Sequence, residues 1–153
     1  MNKILVAVDD TKGSKAAFST CVFACKCMKP DTIIVLYVEK FEGRSLMDEM
    51  LGDAEMSTLE DVLKGTEYKK KLDEKAASIT NYYKNSLEKS GVSGIKTLVK
   101  TGHPAEEILK TAKKEAVDMI IIGSRGKRAS HRFMGSVSRE VANNADMPVL
   151  IVR

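Results

Sequence analysis

Five short apolar runs, separated by stretches of helical spacing, constrain this chain more than any other feature. They fall at residues 4–8, 32–38, 95–100, 118–122 and 148–152. The first is apolar throughout, and continuous apolar strands are what a parallel sheet covered on both faces requires. Between the runs, apolar residues recur every three or four positions. Phe18, Cys21, Val22 and Cys25 predict a helix over 14–28. Leu72, Ala76, Ile79, Tyr83 and Leu87 predict a long one over 67–89, with Lys69, Lys70 and Lys71 on its solvated side. Pro104 opens a third, whose inward face is Ala105, Ile108, Leu109 and Ala112. A last helix is expected over 136–145. This alternation predicts an α/β fold: one domain, residues 1–153, built on an open parallel five-stranded sheet with helices on both faces. Crossovers should be right-handed. Residues 39–66 form an irregular insert, in which Met56, Leu59, Val62 and Leu63 allow a short helix.

Composition removes several classes of function. With 43% hydrophobic and 30% charged residues the chain can fill a core and stay in solution. Trp is absent and aromatics are 5%, which argues against stacking platforms for DNA or RNA. No apolar run approaches the roughly 18 residues of a membrane span, and the 4–8 run meets Asp9 too soon for a signal peptide. A cytoplasmic location is the expectation. Cys21, Cys25 and Cys27 crowd one predicted helix. An odd, clustered set is no disulfide framework, and no zinc-ligand spacing accompanies it, so buried or half-buried helix residues are expected.

In an open α/β sheet, ligands bind beyond the carboxyl ends of the strands, where strand order reverses. The positions to weigh are therefore Asp9 and Asp10 after the first run, Glu39 after the second, Gly102 and His103 after the third, and 123–126 after the fourth. The last carries the strongest signal. Gly123 and Gly126 are followed, after eight intervening residues, by Gly135 and Ser136 at a predicted helix start. Glycines let backbone N–H groups approach a phosphate, and a helix start adds further donors. Arg125, Lys127, Arg128 and Arg132 bring four cations, with no acid between Gly123 and Ser138. The whole chain carries 25 basic and 21 acidic residues, a net +4, so this loop alone matches the excess. Polyphosphate binding is the indicated chemistry. No G-x4-G-K-[ST] loop is present, and no G-x-G-x-x-G follows the first run.

The chain resembles the universal stress protein family through ILVAVDD (4–10), VLYVEK (35–40), TGHPAEEIL (101–109), DMIIIGSRG (118–126), MGSVSREV (134–141) and MPVLIVR (147–153). The resemblance implies strand order 3-2-1-4-5 and binding of ATP, AMP or ADP, with Mg or Mn held by the phosphates and water. It implies phosphate contacts from Gly123, Gly126, Gly135, Ser136 and Val137, with charge from Arg125, Lys127 and Arg128. It also implies adenosine-side contacts from Asp9 and the backbone of Val8 and Val38. A homodimer through the C-terminal strand 148–152 is implied too. The loop departs from the family's G-x2-G-x9-G-[ST] pattern, with eight residues where nine are usual. Two other readings stay open: a non-nucleotide-binding dimeric interaction protein of the same family, and a slow ATPase. No catalytic residue and no protein-held metal is assigned.

An acid pair after a first strand can also hold Mg2+, as in phospho-receiver domains. That chemistry needs a phospho-acceptor Asp after a later strand, and none stands there. Asp10 reads as a solvated or capping acid, His103 as a turn or capping residue, and His131 as a phosphate contact or a solvated side chain. Six acids and no base lie between Asp48 and Asp61, a segment that could oppose the basic loop across the crevice.

Overall fold

The computed structural model describes residues 2–39, 53–125 and 134–153. The strands are β1 (Lys3–Val8), β2 (Thr32–Glu39), β3 (Ile95–Thr101), β4 (Met119–Gly123) and β5 (Val149–Val152). The helices are α1 (Lys12–Met28), α2 (Asp53–Leu63), α3 (Glu67–Lys89), α4 (Pro104–Lys114) and α5 (Ser136–Asn144). All neighbouring strands run parallel, in the order β3-β2-β1-β4-β5. The chain builds outward from β1 to β3, then returns to the other side of β1. The gap between β1 and β4 is therefore the switch point.

The apolar runs explain the layering. Along β1 and β2 side chains alternate between faces, and both faces are covered. Ile4, Val6, Ile33, Val35 and Tyr37 pack in one core layer with residues of α1 and α3. Leu5, Ile34, Leu36, Ile120 and Ile122 pack in the other with residues of α4 and α5. Central strands buried on both sides cannot show the polar alternation of a half-exposed sheet.

Local chemistry sets the helix ends. Thr11 caps α1, its hydroxyl accepting from the Ser14 N–H at 3.2 Å. Lys29 closes α1 in a left-handed conformation, its N–H donating to the Cys25 carbonyl, and Pro30 follows. Thr66 caps α3 through the Lys69 N–H. Glu106 and Glu107 in the first turn of α4, and Lys113 and Lys114 in its last, complement the helix dipole.

Two expectations need correction. Lys69 does not belong to the solvated side of α3: it is half-buried and bonded to Glu39 and Asp73, at 2.9 Å each, while Lys70 and Lys71 are exposed. Cys27 is exposed, whereas Cys21 and Cys25 are buried. Both differences follow from helix phase, since Lys69 turns toward the end of β2 and Cys27 away from the sheet.

Candidate functional site

The sheet's carboxyl end gathers most of the predicted site. Val8 is the last residue of β1 and is buried; Asp9 follows, half-buried. Val38 sits one residue beyond the Val8–Tyr37 register pair, on β2. Gly123 ends β4 opposite Val152 of β5. Gly135 is the N-cap of α5, so Ser136 and Val137 form its first turn, Ser136 exposed and Val137 half-buried. Arg125 is half-buried just past β4. Gly126, Lys127, Arg128, His131 and Arg132 lie outside the described residues, as does the part of the acidic segment before Asp53.

The start of α5 is bolted to the end of β4. The Ser124 carbonyl accepts from the Gly135 N–H at 2.7 Å and from the Ser138 hydroxyl at 3.1 Å. The Ser124 N–H donates to the Val152 carbonyl, tying in β5. Thus the Gly135 N–H is already engaged. The N–H groups of Ser136 and Val137 are first-turn donors that no carbonyl within the helix can reach, and they lie at the positive end of its dipole.

Gly123 has a structural reason of its own. A Cβ there would lie 2.5 Å from the Gly13 carbonyl oxygen and 3.1 Å from the Ser14 nitrogen. A Cβ on Gly13 would lie 2.2 Å from the Arg125 carbonyl oxygen. The start of α1 and the end of β4 cross backbone against backbone, and only glycine at both positions permits it. Gly13 was not apparent as a site residue from its own surroundings. Its partner is 110 residues away in the chain.

Around Asp9 the backbone is held by a closed ring of hydrogen bonds. The Asp9 N–H donates to Ser14 Oγ at 2.8 Å, Tyr83 Oη donates to the Asp9 carbonyl at 2.9 Å, and Ser14 Oγ lies 3.1 Å from Tyr83 Oη. Tyr83 has one proton and gives it to Asp9, so the Ser14 hydroxyl donates to Tyr83. Burial pushes the Tyr83 phenol above its ordinary pKa, against the opposing pull of the Ser14 hydroxyl, so it stays protonated. The Asp9 carboxylate accepts from both the N–H and the hydroxyl of Thr11. Tyr83 entered the sequence reading only as one member of an apolar stripe. The available signal was its phenol, which needs a partner when buried. Ser138 carries a similar signal, a hydroxyl on the inward face of α5.

Glu39, at the end of β2, is 1% exposed. Its Oε2 accepts from Lys69 Nζ at 2.9 Å and lies 3.5 Å from Thr101 Oγ1, while Oε1 is buried with no hydrogen-bond partner among the described residues. Partial burial alone would push the Lys69 ammonium down, but the carboxylates of Asp73 and Glu39 outweigh it and hold the pKa above its ordinary value. This ion pair anchors the first turn of α3 at the sheet's carboxyl end.

Asp10 is exposed and 3.9 Å from Lys75 Nζ. With Asp9 turned onto Thr11, the two acids do not converge on one point. His103 occupies the N-cap of α4, but its side chain makes no capping bond; Nδ1 is 3.8 Å from Glu140 of α5. Among the described residues no group of three or more His, Cys, Asp or Glu side chains is placed to hold a metal ion. Nor is any described helix long and apolar enough to cross a membrane.

The fold defines a doubly wound α/β protein with its switch point between β1 and β4. The universal stress protein family matches residues 1–153, and the chain belongs to that family. Universal stress protein MJ0577 of Methanocaldococcus jannaschii is 33% identical over 155 residues, covering 99% of this chain and 94% of that protein. Its solved structure shares the fold at a TM-score of 0.76 and 32% identity, over 99% of this chain and 94% of that one. Two more distant structures show the same fold. One is a universal stress protein in complex with cAMP (TM-score 0.69, 21% identity, 99% of this chain, 97% of that one). The other is the Archaeoglobus fulgidus universal stress protein in complex with dAMP (TM-score 0.64, 17% identity, 100% of this chain, 98% of that one).

Proposed function

We propose that this universal stress protein binds an adenine nucleotide, ATP in the first instance, and acts as a regulatory stress-response protein. The phosphates lie over the turn 123–126 and the start of α5, taking the Ser136 and Val137 N–H groups and the Ser136 hydroxyl. Arg125, Lys127 and Arg128 supply positive charge. Adenosine lies toward Val8, Asp9 and Val38. A divalent ion, Mg or Mn, is held by the phosphates and water rather than by a protein cage.

The observation that carries this reading is the bolted helix start. Two bonds to the Ser124 carbonyl hold the start of α5, with its first-turn donors, against the end of β4, and the sequence that follows β4 is basic. Complexes of two family members with cAMP and dAMP support an adenine ligand. Hydrolysis is slow at most. Asp9 Oδ1 is turned onto the N–H and hydroxyl of Thr11, and no general base is assigned.

Calorimetry with ATP tests the site on the wild type beside Gly126→Val and Ser136→Ala. Reduced heats in both variants are expected. Equal heats in all three would refute the phosphate site.

The reading includes a homodimer through β5. Among the described residues neither outer strand is paired on its outer edge, but the two edges differ. β3 carries Lys96 and Lys100 along its length, a common guard against edge pairing, whereas β5 reads VLIV without a charge.

A further inference from the structure

α1 opens on a residue that local physics disfavours. Lys12 is its first helical residue, and no acid stands in that turn. The first turn is the positive end of the helix dipole, where a cation is repelled and an acid is stabilised. α3 and α4 follow this rule. α3 opens on Glu67 and closes on Lys89, while α4 opens with Glu106 and Glu107 and closes with Lys113 and Lys114. No local contact compensates Lys12. It is exposed, and among the described residues no hydrogen bond or ion pair holds its ammonium. The two acids just before it are engaged elsewhere: Asp9 Oδ1 accepts from the N–H and hydroxyl of Thr11, and Asp10 lies 3.9 Å from Lys75 Nζ. A residue that breaks a local rule without a local gain points to a functional position.

The tertiary structure sets Lys12 beside the turn that follows β4. A Cβ on Gly13 would lie 2.2 Å from the Arg125 carbonyl oxygen, and one on Gly123 would lie 2.5 Å from the Gly13 carbonyl oxygen. The backbone at the start of α1 therefore lies against residues 123–125. One further step along the chain puts the Lys12 Cα within about 7.5 Å of the Arg125 carbonyl oxygen. A four-carbon stem carries an ammonium across most of such a gap. Arg125 belongs to the β4 side of this crossing, so each side contributes a cation.

We propose that Lys12 is the residue that sets phosphate-number specificity: its ammonium holds the terminal phosphates of a nucleoside triphosphate and makes no contact with a monophosphate. This inference rests on the adenine-nucleotide reading above. A monophosphate brings one phosphate, which the first-turn donors of α5 can take. A triphosphate brings two more, with further negative charge that these neutral donors do not balance. Lys12 meets that charge from the α1 side. The bound anion in turn offsets the repulsion between the Lys12 ammonium and the dipole of its own helix.

The test is calorimetry with ATP and with AMP on the wild type, Lys12→Gln and Lys12→Arg, beside thermal melting of the nucleotide-free chains. Lys12→Gln should lose about fivefold or more in ATP affinity, the upper range for an exposed charge pair, and keep its AMP affinity. Lys12→Arg, which retains the charge, should bind ATP as the wild type does. Without nucleotide, Lys12→Gln should melt at the wild-type temperature or above it, because a cation has left the positive end of α1. A purely structural lysine would give the opposite shift. Equal ATP affinity in Lys12→Gln and the wild type, an equal loss for ATP and AMP, or a lowered melting temperature would overturn the proposal. A wild type that binds neither nucleotide would overturn the nucleotide reading itself, a result distinct from a wild type that binds ATP and a Lys12→Gln variant that matches it.

Discussion

At the scale of single residues, the site rests on groups whose value depends on one precise partner. Tyr83 closes the ring that fixes the Asp9 backbone. Tyr83→Phe leaves the Asp9 carbonyl and the Ser14 hydroxyl short of a partner, and a loss of about 1–3 kcal/mol is expected in urea unfolding. ATP affinity should weaken with it, since Asp9 is then free to shift. Gly123 is a second such residue. A methyl group there meets the Gly13 backbone, and backbone cannot rotate away as a side chain can. Gly123→Ala should cost about 1–3 kcal/mol by the same measurement, with or without nucleotide. That outcome separates a folding role for this glycine from a purely phosphate-binding one. A variant as stable as the wild type would remove the folding role. The sequence showed both residues but assigned each half its work, Tyr83 as apolar surface and Gly123 as a phosphate neighbour.

At the scale of elements, the anchors are hydrogen bonds made by strand and helix ends. Asp118, just before β4, accepts from the Lys3 N–H at 2.8 Å and the Asn2 N–H at 2.6 Å, tying β1 to β4 at the end opposite the site. These two bonds, Lys3 first, hold the Asp118 carboxyl below its ordinary pKa. A carboxyl depressed by folding stabilises the fold above its unfolded pKa of about 3.9 and loses that contribution as pH falls through the lower folded value. Asp118→Asn should therefore lower stability at neutral pH and flatten its dependence on pH in the acid range below about pH 4. Parallel unfolding curves across that range for both proteins would argue against the role. Most helices and strands were legible from periodicity because each buries a regular stripe or an unbroken apolar run. α3 was expected over 67–89 and spans Glu67–Lys89. Lys69 was misjudged because a run of three lysines reads as solvated. The Glu39 carboxylate that draws it inward lies on another element.

At the scale of the whole molecule, the outer edge of β5, which no described strand pairs, is the feature that a second copy of the chain would satisfy. Leu150 is 37% exposed on that strand. Light scattering at micromolar concentration should give twice the chain mass, and Leu150→Lys should shift it toward the monomer. A wild-type monomer under those conditions would count against pairing through β5. The sequence by itself determined the α/β class and the run of elements, because burial periodicity is a local signal. Strand order was implied only by resemblance, and the pairing register confirms it. Only the tertiary structure decided that Gly13 and Gly123 share a crossing, that Ser124 bolts α5 in place, that Tyr83 fixes Asp9, and that Glu39 draws in Lys69. Each of these joins residues at least 11 positions apart in sequence, most of them far more. A backbone approach or a buried polar bond has no periodicity, so it becomes visible only when both partners are in place.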